Sequence, residues 1–111
     1  MSTATRAMIF ISDDDQHKSH QLHEQLLSRA RASSLSGATV WRGIEGFGRS
    51  RLLRTNRLPD ANTGLPLVIE IIDDRERVTS FLSDVGELIA GSLVTLEDVT
   101  SVRGALAGPT P

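Results

Sequence analysis

The sequence contains no cysteine and no tyrosine, and its aromatic side chains are limited to three phenylalanines and one tryptophan. The absence of cysteine excludes a disulfide framework and a cysteine nucleophile, and it is typical of a reducing compartment. No apolar run approaches the roughly 20 residues that a membrane-spanning helix needs, and residues 1–6 lack the basic-then-apolar order of a signal peptide. These absences predict a cytoplasmic protein that is not itself embedded in a membrane.

A surplus of positive charge is also lacking, because 14 acidic side chains outnumber 12 lysines and arginines and give a formal net charge of -2. General nucleic-acid binding depends on cations that displace counterions, so nucleic acid is not a predicted partner. No Gly-x-Ser-x-Gly elbow is present, and no serine has an evident histidine partner for nucleophilic catalysis. The composition and motifs therefore favour a protein that is not an enzyme.

What is present is the pattern of one small α+β domain of 111 residues. Segments with strand-like composition and segments with helical periodicity follow one another in the order β-α-β-β-α-β. Two successive β-α-β units with right-handed crossovers predict a ferredoxin-like sandwich, in which a four-stranded antiparallel sheet carries two helices on one face. The core is expected over residues 6–102, with a flexible C-terminal tail over 104–111. The predicted strands are 6–12, 38–42, 65–72 and 93–99.

Each predicted helix has a start signal and an apolar stripe. The first is expected over residues 16–32, after the possible N-caps and first-turn carboxylates of Asp13, Asp14 and Asp15. The second is expected to begin at a capping box formed by Asp73 and Glu76 and to end near Gly91.

The first and third strands are apolar on both faces, which a sheet with helices on one side only does not explain. Apolar side chains occupy both the odd and the even positions of residues 6–12 and 65–72. No third helix is available to cover the second face of the sheet. Another subunit is the expected cover, so the sequence predicts a homo-oligomer.

The long polar segment over residues 43–64 is the main candidate site, because structureless loops of this length inside a compact domain are usually functional or disordered. Its glycines permit close backbone approach to a ligand, and its arginines suit phosphate or carboxylate recognition. The alternative is a mobile, solvated loop whose arginines pair with Glu45 or with a neighbouring subunit. The predicted ligand-binding residues are Arg42, Gly43, Glu45, Gly46, Phe47, Gly48, Arg49 and Arg51.

Other ionisable groups support weaker hypotheses. His17, His20 and His23 follow the three aspartates at three-residue steps, and a solvated helix face is favoured there over a metal site. Glu70 interrupts an apolar strand, and pairing with an arginine is favoured. Glu97 and Asp98 on the last strand either meet arginines of a partner or act as exposed edge charges, and the sequence leaves both open.

Three blocks of the sequence resemble the family known as domain of unknown function 190. Residues 37–48 (Gly-Ala-Thr-Val-Trp-Arg-Gly-Ile-Glu-Gly-Phe-Gly) resemble its hallmark, and residues 65–73 and 93–99 resemble two further blocks in the same order. The family is similar to the nitrogen-regulatory PII proteins. The resemblance implies a PII-like fold and a homotrimer with its sheets facing inward and clefts between subunits. In PII proteins such clefts bind adenine nucleotides, and the long loop after the second strand contacts target proteins, often membrane transporters.

The resemblance has departures. Ser19-His20-Gln21-Leu22-His23 stands where the family often has Gly-Lys-Pro-Leu-Tyr, and Ala90-Gly91-Ser92 replaces the glycine-rich phosphate loop of true PII proteins. ATP binding in the PII manner is therefore not implied.

The leading hypothesis is a regulatory protein that binds an adenine nucleotide or another anionic metabolite at subunit clefts. It would modulate a membrane protein or an enzyme through the loop 43–64. The alternatives are a small enzyme using Glu45, Glu70, Asp98 and the histidines, or a structural or metal-binding oligomer using the aspartate–histidine cluster.

Overall fold

The computed structural model describes residues 1–57, 64–102 and 104. Residues 58–63, which include Pro59, and the tail residues 103 and 105–111 lie outside the described part, so the expectation of a flexible tail stays a prediction. The described strands are β1 (Ser2–Ser12), β2 (Gln16–His17), β3 (His20–Gln21), β4 (Ala38–Arg42), β5 (Glu45–Gly46), β6 (Arg54–Thr55), β7 (Pro66–Asp73) and β8 (Leu93–Ser101), and the helices are α1 (Leu22–Ala32) and α2 (Arg75–Asp84).

Four long strands form one antiparallel sheet in the order β4-β7-β1-β8. The central strand β1 pairs with β7 so that Ile9 lies opposite Ile69, and with β8 so that Ile9 lies opposite Val94. With one helix between β1 and β4 and another between β7 and β8, this arrangement confirms the predicted ferredoxin-like fold.

The hydrophobic core lies between the sheet and both helices. Alternate residues of the central strands point toward the helices because side chains alternate across a strand. Their partners on the helices recur at helical spacing. The fully buried members of this cluster include Ala7, Ile9, Leu26, Leu67, Ile69, Ile71, Val78, Phe81 and Val85.

The first helix begins later than predicted, at Leu22 instead of residue 16. Residues 16–21 form a tight hairpin of β2 and β3, in which Lys18 and Ser19 adopt positive φ angles of 53° and 69°. The Gln25 side chain donates hydrogen bonds to the carbonyl oxygens of His17 (2.9 Å) and His20 (3.1 Å), so the hairpin is fastened to α1. The periodicity of the sequence predicted a helix over residues 16–21. Hydrogen bonds from Gln25 to backbone carbonyls stabilise a hairpin there instead.

The predicted capping box of the second helix is wrong. The N-cap is Asp74, without a side-chain cap, and α2 ends at Asp84 before the turns that lead to Gly91. The Asp73 carboxylate instead accepts hydrogen bonds from the backbone N–H groups of Ser36 (2.9 Å) and Asp74 (2.7 Å). Asp73 therefore ties the end of β7 to the connection between α1 and β4.

Lowering the pH should remove the contribution of Asp73 to stability. Partial burial raises the pKa of its carboxyl, but hydrogen bonds from Ser36 and Asp74, helped by Arg77, outweigh this and hold the pKa below its ordinary value. A carboxyl with a depressed folded-state pKa stabilises the fold above its unfolded pKa, and that contribution is lost as pH falls through the folded value. Urea unfolding of the native chain should therefore show stability declining below about pH 4.

The matched variants are Asp73→Asn and Asp74→Asn, because the Asp74 carboxylate makes no side-chain cap to α2. Asp73→Asn should flatten part of the acid-side slope, whereas Asp74→Asn should retain it. Identical slopes in the native protein and Asp73→Asn would contradict this role.

No helix in the described ranges is long and apolar enough to cross a membrane.

Candidate functional site

The loop after β4 has internal structure over its described part, residues 43–57. Strands β5 and β6 pair Glu45 with Thr55 and Gly46 with Arg54, and the Asn56 N–H donates to the Ile44 carbonyl at 3.0 Å. Residues 43–46 and 54–57 thus form a paired stalk that carries a tip over residues 47–53. Backbone pairing therefore orders the stalk, whereas every residue of the tip is exposed.

Glu45 stabilises the stalk. Its carboxylate accepts a hydrogen bond from the Thr55 hydroxyl at 3.1 Å and pairs with the Arg57 guanidinium at 2.8 Å. Pairing of a loop arginine with Glu45 is the arrangement that the sequence left as an alternative to ligand binding. Both contacts use Oε1, so one oxygen of the Glu45 carboxylate is engaged within the loop.

A cleft of about 980 Å³ lies beside this loop. Its walls come from the end of β1, the start of β7, the turn before β8, and the loop itself. The end of β1 and the starts of β7 and β8 lie at one end of the sheet. The stalk projects from the same end, and the cleft forms between them. The lining residues are Phe10, Ile11, Ser12, Asp14, Asp15, Gly46, Phe47, Gly48, Arg49, Ser50, Leu52, Arg54, Gly64, Pro66, Leu67, Gly91, Ser92 and Leu93.

Two guanidinium groups, from Arg49 and Arg54, provide the positive charge of the cleft. The ion pairs formed among the described residues use Arg6, Arg42, Arg57 and Arg75, and neither cleft arginine takes part in one. Both cations face a cavity where a phosphate or carboxylate could accept charge-assisted hydrogen bonds.

Two carboxyl groups, from Asp14 and Asp15, lie on the β1 side of the cleft. The Asp15 carboxylate accepts a hydrogen bond from the Ser12 N–H at 2.8 Å, whereas the Asp14 side chain is exposed. A ligand in this cleft would meet positive charge on the loop side and negative charge on the strand side. This polarity favours an anion that is held against the loop.

Of the predicted ligand-binding residues, Gly46, Phe47, Gly48 and Arg49 line the cleft. The structure brings these four together with Arg54. Arg54 lies in the same arginine-rich loop but was not among the predicted binding residues. The pairing of Gly46 with Arg54 across the stalk explains their proximity.

The other predicted residues, Arg42, Gly43, Glu45 and Arg51, do not line the cleft. Arg42 pairs with Asp13 at 2.6 Å, and the guanidinium carbon of Arg51 lies 5.6 Å from the centre of the Phe47 ring, as in a cation–π contact.

Gly43 has a structural reason to be glycine. A Cβ atom at this position would lie 2.7 Å from Pro66 Cγ, and the Gly43 N–H donates to the Pro66 carbonyl, also at 2.7 Å. Close approach of the two backbones thus requires glycine here.

Several cleft residues from outside the loop had no distinguishing motif in the sequence. Phe10 and Leu93 read as ordinary strand residues, and Ser92 as part of a turn. Their register provides the missing information, because β1 and β8 place Phe10 opposite Leu93. Only the pairing of distant strands shows that these side chains share one wall.

The groups considered for catalysis are not brought together. Glu45 pairs with Arg57, Glu70 with Arg6, and Asp98 with Arg75. Among the described residues, no hydrogen bond or ion pair joins two of these acids. They also form no hydrogen bond or ion pair with a histidine in that part of the chain.

The histidines do not lie along one helix face, contrary to the reading favoured from the sequence. His17 and His20 are opposed across the β2–β3 hairpin, and His23 lies on α1. His17 Nε2 lies 3.8 Å from a carboxylate oxygen of Glu87. Within residues 1–57 and 64–102, no group of three or more His, Asp or Glu side chains is arranged to hold a metal ion.

The face of the sheet opposite the helices is largely apolar, and none of the elements in the described part of the chain covers it. Strand register places Val68 between Phe10 on β1 and Trp41 on β4, and Trp41 is 56% exposed. We call this surface the open face. Its apolar residues are Met8, Phe10, Trp41, Val68, Ile72 and Leu93.

One row of polar side chains crosses all four strands of the open face. Trp41 Nε1–H donates to Glu70 at 3.1 Å, and the other oxygen of Glu70 lies 3.5 Å from the Arg6 guanidinium. Arg6 Nε–H donates to Glu97 at 2.9 Å, and this pairing raises the pKa of Arg6 above its ordinary value. The row confirms that Glu70 pairs with an arginine, and we call Trp41, Glu70, Arg6 and Glu97 the polar row.

The last-strand acids find arginines within their own chain. Glu97 belongs to the polar row, and the Asp98 carboxylate accepts hydrogen bonds from Arg75 (2.8 Å) and the buried Thr5 (3.2 Å). The bond from Arg75 lowers the pKa of Asp98, and Thr5 adds to the effect. Neither acid needs a second subunit as its partner.

Comparison with known proteins gives matches over nearly the whole chain. Residues 4–101 match the model of the DUF190 family, described as an uncharacterized ACR. A UPF0166 protein of Aquifex aeolicus (strain VF5) is 40% identical over 91 residues, which cover 82% of this chain and 86% of that protein.

Solved structures with the same fold include PII-like proteins. A candidate PII-like signalling protein from Thermus thermophilus has a TM-score of 0.67 at 20% identity, covering 94% of both chains. CPII from Thiomonas intermedia K12, solved with ADP and bicarbonate, has a TM-score of 0.65 at 15% identity, covering 93% of this chain and 92% of that one. These likenesses establish a PII-like fold.

Proposed function

The chain belongs to the DUF190 family, and on that basis and its cleft we propose that it is a non-enzymatic, PII-like regulatory protein of the cytoplasm. In this proposal a small anionic ligand binds in the cleft beside the loop 43–64. Ligand binding changes the order of that loop, and the loop modulates a partner protein.

The observation that carries the proposal is the pair of cleft arginines. Arg49 and Arg54 face a cleft of about 980 Å³, at the upper end of the usual size of small-molecule sites. Two guanidinium groups beside a glycine-rich backbone suit an anion with several acceptor oxygens. Glu45, which could have neutralised them, instead pairs through Oε1 with Arg57 and Thr55.

Adenine nucleotides are the first ligands to test. CPII, which shares the fold, was solved with ADP and bicarbonate. In this chain Gly91 and Ser92 line the cleft, opposite the loop. Because only this short turn stands where PII proteins carry a glycine-rich phosphate loop, we expect Arg49 and Arg54 to provide most of the phosphate contacts.

Loss of both cleft arginines should weaken ligand binding strongly. A hydrogen bond to a charged group contributes about 1.5–3 kcal/mol, so Arg49→Ala with Arg54→Ala should reduce affinity by at least about 100-fold. Isothermal titration with ADP, AMP, ATP, orthophosphate and bicarbonate, guided by thermal shifts, measures this effect.

The matched control is Arg29→Ala with Arg31→Ala, which removes two exposed arginines from the last turn of α1. The control has the same net charge as the cleft variant, so it separates a specific site from general attraction of anions. Equal affinity in the cleft variant and the native chain would refute this ligand site.

We further propose that the protein is a homotrimer in which the open face is covered by the other copies. A contiguous apolar face of this kind is unusual on a monomer and typical of an interface. The cleft borders the open face, because Phe10 and Leu93 belong to both. Assembly would therefore bring part of a second subunit toward the cleft.

The partner protein is proposed to contact the tip of the loop. Large apolar side chains are exposed on this tip, among them Phe47, Leu52 and Leu53. Their alternation with arginines suits a partner with an acidic and apolar surface, such as a membrane transporter or an enzyme. A ligand that binds Arg49 would alter this tip directly.

A further inference from the structure

Asp13 connects the two ends of the loop 43–64 to the end of β1. Its Oδ2 atom accepts a hydrogen bond from the Arg42 guanidinium at 2.6 Å, immediately before the loop. Its Oδ1 atom accepts a hydrogen bond from the backbone N–H of Gly64 at 2.7 Å, where the loop ends. The Asp13 N–H also donates to the Leu65 carbonyl at 2.9 Å.

The neighbouring aspartates lack this arrangement. Asp15 accepts a hydrogen bond from Ser12, three residues away, and the Asp14 side chain is exposed. Asp13 has a side chain only 16% exposed, which strengthens its charged hydrogen bonds relative to a surface pair. Among the described residues, the Asp13 carboxylate is the one of these three that accepts hydrogen bonds from residues distant in sequence.

The contact with Gly64 leads directly to a cleft arginine. A Cβ atom on Gly64 would lie 3.1 Å from Arg54 Nε, so the Arg54 side chain lies against this glycine. Gly64 has a φ of 74°, a conformation that suits glycine and lets the chain turn into β7. When Asp13 holds Gly64 in place, it also fixes the surface against which the Arg54 side chain packs.

We propose that Asp13 is the positioning residue of the cleft. Its carboxylate binds Arg42 and Gly64, at the two ends of the loop 43–64, and we call these two contacts the latch. The latch holds Arg54 and the stalk in a geometry that can bind a ligand. Fixing the two ends reduces the conformational freedom that the loop would otherwise lose when a ligand binds. The expected effect of Asp13 on ligand binding rests on the function proposed above, whereas its contacts with the two loop ends do not.

Amide hydrogen exchange, followed by NMR without ligand, tests the latch at each end. Asp13→Ala removes both acceptors, and exchange at the Gly43 and Gly64 amides should accelerate by about tenfold or more. Asp13→Asn keeps an oxygen for Gly64 but loses the ion pair, so acceleration should be confined to Gly43. Arg42→Gln should reproduce the Asp13→Asn pattern from the other side of the pair.

The control is Asp84→Ala, which removes an exposed carboxylate at the end of α2, outside the cleft. Exchange at the Ile9 and Ile69 amides of the central strands reports on global stability and should be unchanged in each variant that folds. If Asp13→Ala does not fold, Asp13→Asn and Arg42→Gln still test the start of the loop. Unchanged loop exchange in these variants, or equal acceleration in Asp84→Ala, would overturn the latch.

ADP titration separates failure of the latch from failure of the ligand site. If the native chain binds ADP, Asp13→Asn should weaken binding by roughly tenfold while Asp84→Ala changes it little. Unchanged affinity in an Asp13 variant with a loosened loop would overturn the positioning role. If neither ADP nor any other anion binds the native chain, the proposed ligand function fails, and the exchange data still decide the latch.

Discussion

Replacing Val68 by aspartate is expected to convert the proposed homotrimer to a monomer of 12.0 kDa. Val68 lies in the middle of the open face, between Phe10 and Trp41. An unpaired carboxylate in an apolar interface is strongly unfavourable, whereas in a monomer this face is open to water. We expect association to weaken by at least roughly 100-fold, measured by sedimentation equilibrium over micromolar concentrations.

The comparison variant is Ser28→Asp, which adds the same charge at an exposed position on α1. This variant should retain the mass of the native assembly. Far-UV circular dichroism should show the same secondary structure for both variants, because Val68 lies on the face away from the core. A native chain that sediments as a monomer, or a Val68→Asp variant that remains assembled, would show that the open face is not the interface.

Truncation of Phe81 to alanine is expected to destabilise the fold more than any surface change. Phe81 lies on α2 with only 2% of its surface exposed, among the side chains of the central strands. Removing a buried phenylalanine typically costs about 3–5 kcal/mol, which is a large part of the roughly 5–15 kcal/mol stability of a small domain. Urea unfolding of the variant should show this loss as a lower midpoint.

Phe47→Ala provides the same chemical change at a position that is 63% exposed. It should change the free energy of unfolding by no more than about 0.5 kcal/mol. Its effect should appear instead in ligand titrations, because Phe47 lines the cleft. Similar destabilisation by the two substitutions would mean that the loop tip is part of the core.

The long strands and their order could be predicted because their composition is distinctive. The predicted bounds of β4 agree with the structure at both ends, Ala38–Arg42, and the other three strands were placed within the observed ones or within one residue of them. The N-terminal extension of β1 to Ser2 could not be predicted, since it depends on pairing with Ser101 at the far end of the sequence. The start of α1 was missed because backbone contacts made by Gln25 stabilise a hairpin there.

The candidate site was located by composition, but the roles of its residues were not. Glycines and arginines identified the loop, and Arg49 and Gly46 do line a cleft. Composition cannot show which charges are already paired, so the sequence did not reveal the partners of Arg42 and Glu45 within the chain. Their partners, Asp13 and Arg57, are separated from them by 29 and 12 positions and are identified only by the folded chain.

The polar row affects how the proposed assembly would respond to ionic strength. Each subunit brings one guanidinium, from Arg6, and two carboxylates, from Glu70 and Glu97, so every row carries a formal charge of -1. Copies that meet through the open face would therefore repel one another at this position. Dissolved salt screens such repulsion. Subunits would then dissociate on dilution into low-salt buffer, in contrast to an interface held together by ion pairs between subunits.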